Sequence, residues 1–142
     1  MDKQAVAEAL AQELAEEQPP FGRLLGAKII EASPDRLVAE LTVREELTNR
    51  NGVLHGGAVM AVADNLGGTA AVINLPPGAT TATIESKTNF FAACRAGERI
   101  WIETTPLHRG RSTMVWQSRI TRADGTLAAL VTQTQIVMAA AK

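Results

Sequence analysis

Residues 55–78 read HGGAVMAVADNLGGTAAVINLPPG, and Asp64 is the only formally charged side chain between Asn51 and Ile84. An ionised carboxylate in so apolar a run is costly unless it is paired, hydrogen-bonded or used. The stretch from Gly57 to about Leu75 shows no clean polar face. It therefore reads as a helix buried on nearly all sides, ended by Pro76-Pro77-Gly78. Small residues along it (Ala58, Ala61, Ala63, Gly67, Gly68, Ala70 and Ala71) would let strands wrap closely around its axis.

Strands are legible on both sides of that helix. Upstream, Lys28 to Ala32 reads as a short strand turning at Ser33-Pro34-Asp35. Leu37, Ala39, Leu41 and Val43 then face one way against Arg36, Glu40 and Thr42, as a half-buried strand requires. Glu45 to Val53 is a polar loop holding Asn49 and Asn51. Downstream, Thr80 to Phe91 sets Ile84, Ser86, Thr88 and Phe90 against Glu85, Lys87 and Asn89. Arg99 to Leu107, Ser112 to Arg122 and Thr126 to Met138 follow, the last two joined by the hairpin signal Asp124-Gly125. At the front, Asp2 to Glu17 spaces Val6, Leu10 and Leu14 as an amphipathic helix stopped by Pro19-Pro20. The order predicts an α+β fold: an antiparallel sheet wrapped around one long central helix, with an N-terminal amphipathic helix. Its sheet edges need cover, so self-association is expected.

At 142 residues the chain reads as one domain, with the N-terminal helix over 1–18 and the core over 22–138. Fourteen basic residues against fifteen acidic ones leave a net charge of −1, which gives no broad footprint for nucleic acid. Cys94 is the only cysteine, which excludes an intrachain disulfide and a thiolate metal cage; with only His55 and His108 beside it, no metal site is expected. The Glu-rich N-terminus lacks the basic start and apolar core of a signal peptide. Asp64, Asn65 and Asn74 argue against a membrane span, so a cytoplasmic protein with no membrane partner is expected. No Gly-x-Ser-x-Gly elbow, P-loop or dinucleotide fingerprint is present.

The chemistry gathers around His55-Gly56-Gly57 and Asp64. Gly-Gly at a helix start lets a ligand approach the backbone, and free amides there stabilise a developing oxyanion. A carboxylate facing them can act as general base on water or attack a carbonyl itself. Asn49, in the preceding loop, can orient water or substrate through its amide. Gly57 and Asp64 lie about two turns apart on one face, roughly 10 Å along the axis, so they cannot grip one atom from a single chain. Two copies around a two-fold axis would set Asp64 of one against the Gly56-Gly57 end of the other. The reaction suggested is hydrolysis of an activated acyl group.

Asn49-Arg50-Asn51-Gly52-Val53-Leu54-His55-Gly56-Gly57, followed by Ala63-Asp64-Asn65, resembles the active-site segment of hotdog-fold acyl-CoA thioesterases. The nearest branch is the phenylacetate-degradation type, which includes hydroxybenzoyl-CoA thioesterases. The likeness continues through Thr83-Ile84-Glu85, Asn89-Phe90, His108-Arg109-Gly110-Arg111 and Asp124-Gly125, over roughly residues 22 to 138. It implies Asp64 as base or nucleophile, the Gly57 amide as oxyanion donor, and His55 shaping that turn. It further implies that Asn49 holds the thioester or water, and that the Thr83 hydroxyl helps place water. Arg109 and Arg111 match the stretch near the nucleotide of coenzyme A. The acyl group would enter the gap between subunits beside Leu66, Gly67 and Gly68, with Gly56 also a substrate-binding residue. Several relatives carry Ser or Thr one turn after the carboxylate, where this chain has Gly68; Thr69 is expected to point elsewhere. The resemblance implies no cofactor, coenzyme A being part of the substrate, and a homodimer or dimer of dimers. A non-catalytic acyl-CoA-binding module and an enoyl-CoA hydratase of the same fold are the alternative readings.

Overall fold

The computed structural model describes residues 2–141. Helix α1 (Lys3–Glu16) is followed by α2 (Pro20–Leu25), β1 (Lys28–Ser33), β2 (Arg36–Thr42) and a short 3-10 turn at Glu45–Leu47. Then come α3 (Gly56–Ile73), β3 (Thr80–Phe90), β4 (Arg99–Arg109), β5 (Thr113–Arg122) and β6 (Leu127–Met138). The six strands form one antiparallel sheet in the order β1-β2-β4-β5-β6-β3, curled around α3. This is the hotdog fold.

Register decides what meets α3. Ala39, Ile102, Ile120 and Ala129 sit in one cross-strand row, and Leu41 opposite Ile100 in the next. All six are buried with Val59, Val62, Leu66 and Ala70 of α3. Thr104 and Ser118 fall opposite each other inside this core and satisfy one another through a 2.7 Å hydroxyl pair. Pro106 lies beyond the last β2–β4 pair, at Thr104, where β4 has only β5 beside it and the missing N–H costs nothing. Asp124-Gly125 makes the expected β5–β6 turn: Gly125 takes φ +84° and Asp124 accepts from the Thr126 N–H.

Three expectations change. Pro19-Pro20 ends α1 but also begins α2, with Pro20 in the first turn where its missing N–H is no loss. The last carbonyls of α2, on Leu24 and Leu25, accept from the Arg44 guanidinium. Within α1 the seat against β1 is taken by Ala11, with Leu10 and Leu14 beside it, while Val6 stays exposed.

The third change concerns α3, which is not buried all round. Val59, Val62, Ala63, Leu66, Gly67, Ala70 and Ala71 are buried, while Gly57, Met60, Asp64 and Val72 are exposed. Small and apolar residues occupy both sides, so composition could not reveal the open stripe. Beside it runs β3, an eleven-residue edge strand with Ile84, Phe90 and the following Phe91 all more than half exposed.

Candidate active site

Asp64 stands on the open stripe of α3, with its carboxylate held from the sheet. The Thr83 hydroxyl donates to Asp64 Oδ1 at 2.7 Å, and Gln133 Nε2 donates to the same oxygen at 3.3 Å. Thr83 in turn accepts from Gln135 Nε2 at 2.6 Å. Glutamines 133 and 135 are each 1% exposed on the inward face of β6. Thr83 reaches this network because β3 bulges at Ile84, between the Thr83–Gln135 and Glu85–Thr134 pairs. A regular strand would have put Thr83 on the outer face with Glu85; the extra residue turns it inward.

Asp64, Thr83 and Gln135 form one wall of a cavity of about 450 Å³. Asp64, Gly68, Thr69 and Val72 line it from α3, Thr81, Ala82 and Thr83 from β3, and Leu14, Glu17, Gln18 and Pro19 from the end of α1. Among the described residues, Glu17 and Asp64 are its only charged lining residues. Gly68 opens directly onto space, since a Cβ there would meet nothing within 4 Å. Contrary to expectation, Thr69 also lines the cavity, although its hydroxyl donates back to the Asn65 carbonyl at 2.8 Å.

The start of α3 lies outside that cavity. His55 caps the helix, its Nδ1 accepting from the Gly57 N–H at 2.8 Å, which leaves the ring proton on Nε2 in the neutral imidazole. The amide expected to meet an oxyanion is therefore held by its neighbour's ring in the single chain. The Gly56 N–H, at the first helical position, has no acceptor within the helix. The Phe90 ring crosses Gly56, 3.2 Å from where a Cβ would be, so a side chain there would have to push that ring aside by a few tenths of an ångström. Asn49 staples its own loop: its Oδ1 accepts from the Asn51 N–H at 2.9 Å and more weakly from the Val53 N–H at 3.4 Å. Asn49, His55, Gly56 and Gly57 all fall outside the cavity lining around Asp64.

Two expected binding residues are engaged elsewhere. Leu66 is wholly buried in the core, because two positions beyond Asp64 on a helix face nearly the opposite way. Arg109 donates to the Pro34 carbonyl, Asp35 and Asn74 at 2.8 to 3.2 Å, tying the end of β4 to the β1–β2 turn and the end of α3. Arg111, in the β4–β5 turn, is exposed. Among the described residues no three His, Cys, Asp or Glu side chains cluster to ligate a metal.

Glutamines 133 and 135 were missed by sequence reasoning. The available signal was parity, since in strand 127–138 they share the face of Ala129 and Val131.

Known proteins match this architecture. Residues 51–129, more than half of the chain, match the family model of the Thioesterase superfamily. Human acyl-coenzyme A thioesterase 13 is 31% identical over 111 residues, 77% of this chain and 79% of that one. The crystal structure of a variant thioesterase from Pseudomonas aeruginosa superposes with a TM-score of 0.83 at 27% identity, covering 90% of this chain and 93% of its own. A variant of the phenylacetic acid degradation protein PaaI from Thermus thermophilus does so with a TM-score of 0.76 at 25% identity, covering 83% and 98%. The chain belongs to the hotdog-fold thioesterase superfamily and is a thioester hydrolase.

Proposed function

We propose that this protein hydrolyses an aryl- or medium-chain acyl-CoA thioester to the free acid and coenzyme A, with Asp64 as general base or nucleophile. The observation that carries this reading is the Asp64 carboxylate, held by Thr83 and Gln133 on the wall of a cavity large enough for an acyl group. With Glu17 and Asp64 as its charged residues, that cavity suits a neutral acyl group and repels an anionic one. The similarity to human acyl-coenzyme A thioesterase 13 supports coenzyme A as the carrier.

The oxyanion donor is the Gly57 amide of a second copy. The unpaired edge of β3, and the apolar residues exposed along it and along α3, support antiparallel pairing of two chains around a two-fold axis. In that dimer the start of one α3 faces Asp64 of the other, and an oxyanion takes over the acceptor role of His55 Nδ1 as the stronger partner. Acting as base, Asp64 takes a proton from water as the water oxygen bonds to the thioester carbon; the oxyanion then collapses with loss of the C–S bond, and that proton passes from Asp64 to the leaving thiolate. Asn49 orients the thioester or water, and Arg111, rather than the engaged Arg109, is the side chain left for the phosphates. No cofactor is required.

The test is thiol release from phenylacetyl-, benzoyl-, hexanoyl- and succinyl-CoA by the native protein and by Asp64→Asn. Turnover of the neutral esters, weak turnover of succinyl-CoA, and a loss of about 10²- to 10⁴-fold in kcat for a folded Asp64→Asn are expected. An unimpaired Asp64→Asn, or binding of every ester without thiol release, would remove Asp64 from the mechanism.

A further inference from the structure

Two buried carboxamides on one strand face are expensive, since each brings two N–H donors and one acceptor out of water. Those of β6 are ordered in one direction. The Thr81 hydroxyl, whose one hydrogen is shared between the Ile136 carbonyl at 2.8 Å and Gln135 Oε1 at 3.1 Å, faces the oxygen end of that carboxamide, and the nitrogen end points toward Thr83 at 2.6 Å. Thr83 has a single hydrogen and already accepts from Gln135, so its O–H is turned onto Asp64 Oδ1. Gln133 Nε2 donates to the same oxygen. Gln133 also lies flat against α3: a Cβ on Gly67 would fall inside its carboxamide. Among the described residues both hydrogen bonds to Asp64 end on Oδ1 and none on Oδ2.

We infer that Gln133 and Gln135 are positioning residues, which anchor Asp64 by Oδ1 and present Oδ2 as the oxygen that reacts. The inference rests on the catalytic reading of Asp64 and holds for either of its roles. As a base, Oδ2 takes a proton from water while the water oxygen bonds to the acyl carbon, the C–S electron pair leaves with sulfur, and Oδ2–H returns the proton to the thiolate. As a nucleophile, Oδ2 forms the bond to the acyl carbon itself and water later cleaves the mixed anhydride. In both, a carboxylate free to rotate would offer its oxygens at random angles.

Gln135 acts only through Thr83, and that gives the test its sharpest readout. Gln135→Met, Thr83→Val, the double variant and Gln133→Met are assayed on phenylacetyl-CoA and hexanoyl-CoA beside Asp64→Asn, with folding checked by thermal melting. Gln135→Met and Gln133→Met are expected to lower kcat about tenfold to a hundredfold with KM little changed. The double variant should be no slower than Thr83→Val alone. Should a methionine variant fail to fold, Gln135→Leu or Gln133→Leu removes the donor without adding a titratable group and should show the same kcat loss. Unchanged kcat in the glutamine variants with an inactive Asp64→Asn overturns the positioning role alone. So does a rise in KM at constant kcat, or losses that multiply in the double variant. An active Asp64→Asn, or native protein that turns over neither ester, overturns the catalytic reading and this inference together.

Discussion

Gly67 and Gly68 are neighbours in sequence and opposites in the structure. A methyl group on Gly67 would collide with the buried Gln133 carboxamide, whereas one on Gly68 would meet nothing within 4 Å. They mark the two sides of α3: a closed side packed into the sheet, and an open stripe carrying Gly57, Met60, Asp64 and Val72. Both sides are built from small and apolar residues, so hydrophobicity does not tell them apart. What separates them is that the closed side meets its packing partners within the chain, while the open side offers a carboxylate, a cavity and exposed apolar residues.

The widest contrast is between Asp64 and Leu66. Leu66→Ala on the closed side should cost about 2 to 5 kcal/mol of stability, read in a denaturant melt, because it leaves a void at the centre of the core. The folded fraction should keep its turnover per active site, the reverse of the outcome expected at Asp64. Equal loss of turnover from both would erase the distinction.

Gly67→Ala should come next, at about 1 to 3 kcal/mol, because Gln133 is enclosed and its displaced carboxamide has no water to turn into. Its turnover should fall as well, since the bond to Asp64 Oδ1 is lost with the displacement. Gly68→Ala should instead gain up to about 1 kcal/mol from the lower entropy cost of ordering alanine in a helix. In the same variant the narrowed cavity should disfavour the bulkier acyl groups. A destabilised Gly68→Ala would mean that the open stripe is already filled by a partner chain.

The smallest effect sits in the buried core, at Cys94. Burial pushes this thiol above its ordinary value of 9.0, with nearby Glu98 and Asp124 adding to the rise and Arg122 opposing it. The unfolded chain loses the thiol proton first, so stability is complete below about pH 9 and falls as pH rises towards the folded value. Melting temperatures of the native protein and Cys94→Ala, compared from pH 8 to 10.5, should converge as the native form loses that contribution. Parallel curves would place the thiol in water.

Much of this was legible in the chain because it depends on near neighbours. The helix start at His55-Gly56-Gly57, the placement of Gly57 and Asp64 on one face, the Asp124-Gly125 hairpin and the strand alternation all follow from periods of a few residues. The β3 bulge was not legible, because one extra residue at Ile84 leaves the composition of the strand unaltered while reversing the side on which Thr83 emerges. Arg109 carried no local sign that it would be spent on Pro34, Asp35 and Asn74, all distant in the chain.

The sequence by itself determined the order of the six strands and of α1 and α3, the hotdog fold and the carboxylate that stands out from an apolar helix. Only the tertiary structure decided which side of that helix closes, that Leu66 turns inward, and that Gln133 and Gln135 reach across from the sheet to Asp64 and Thr83. The physical reason is range. Helix and strand periodicity is set by covalent neighbours, but the rotation of α3 and the register of β3 on β6 are set by packing between residues some twenty to seventy positions apart, which no short window of sequence contains.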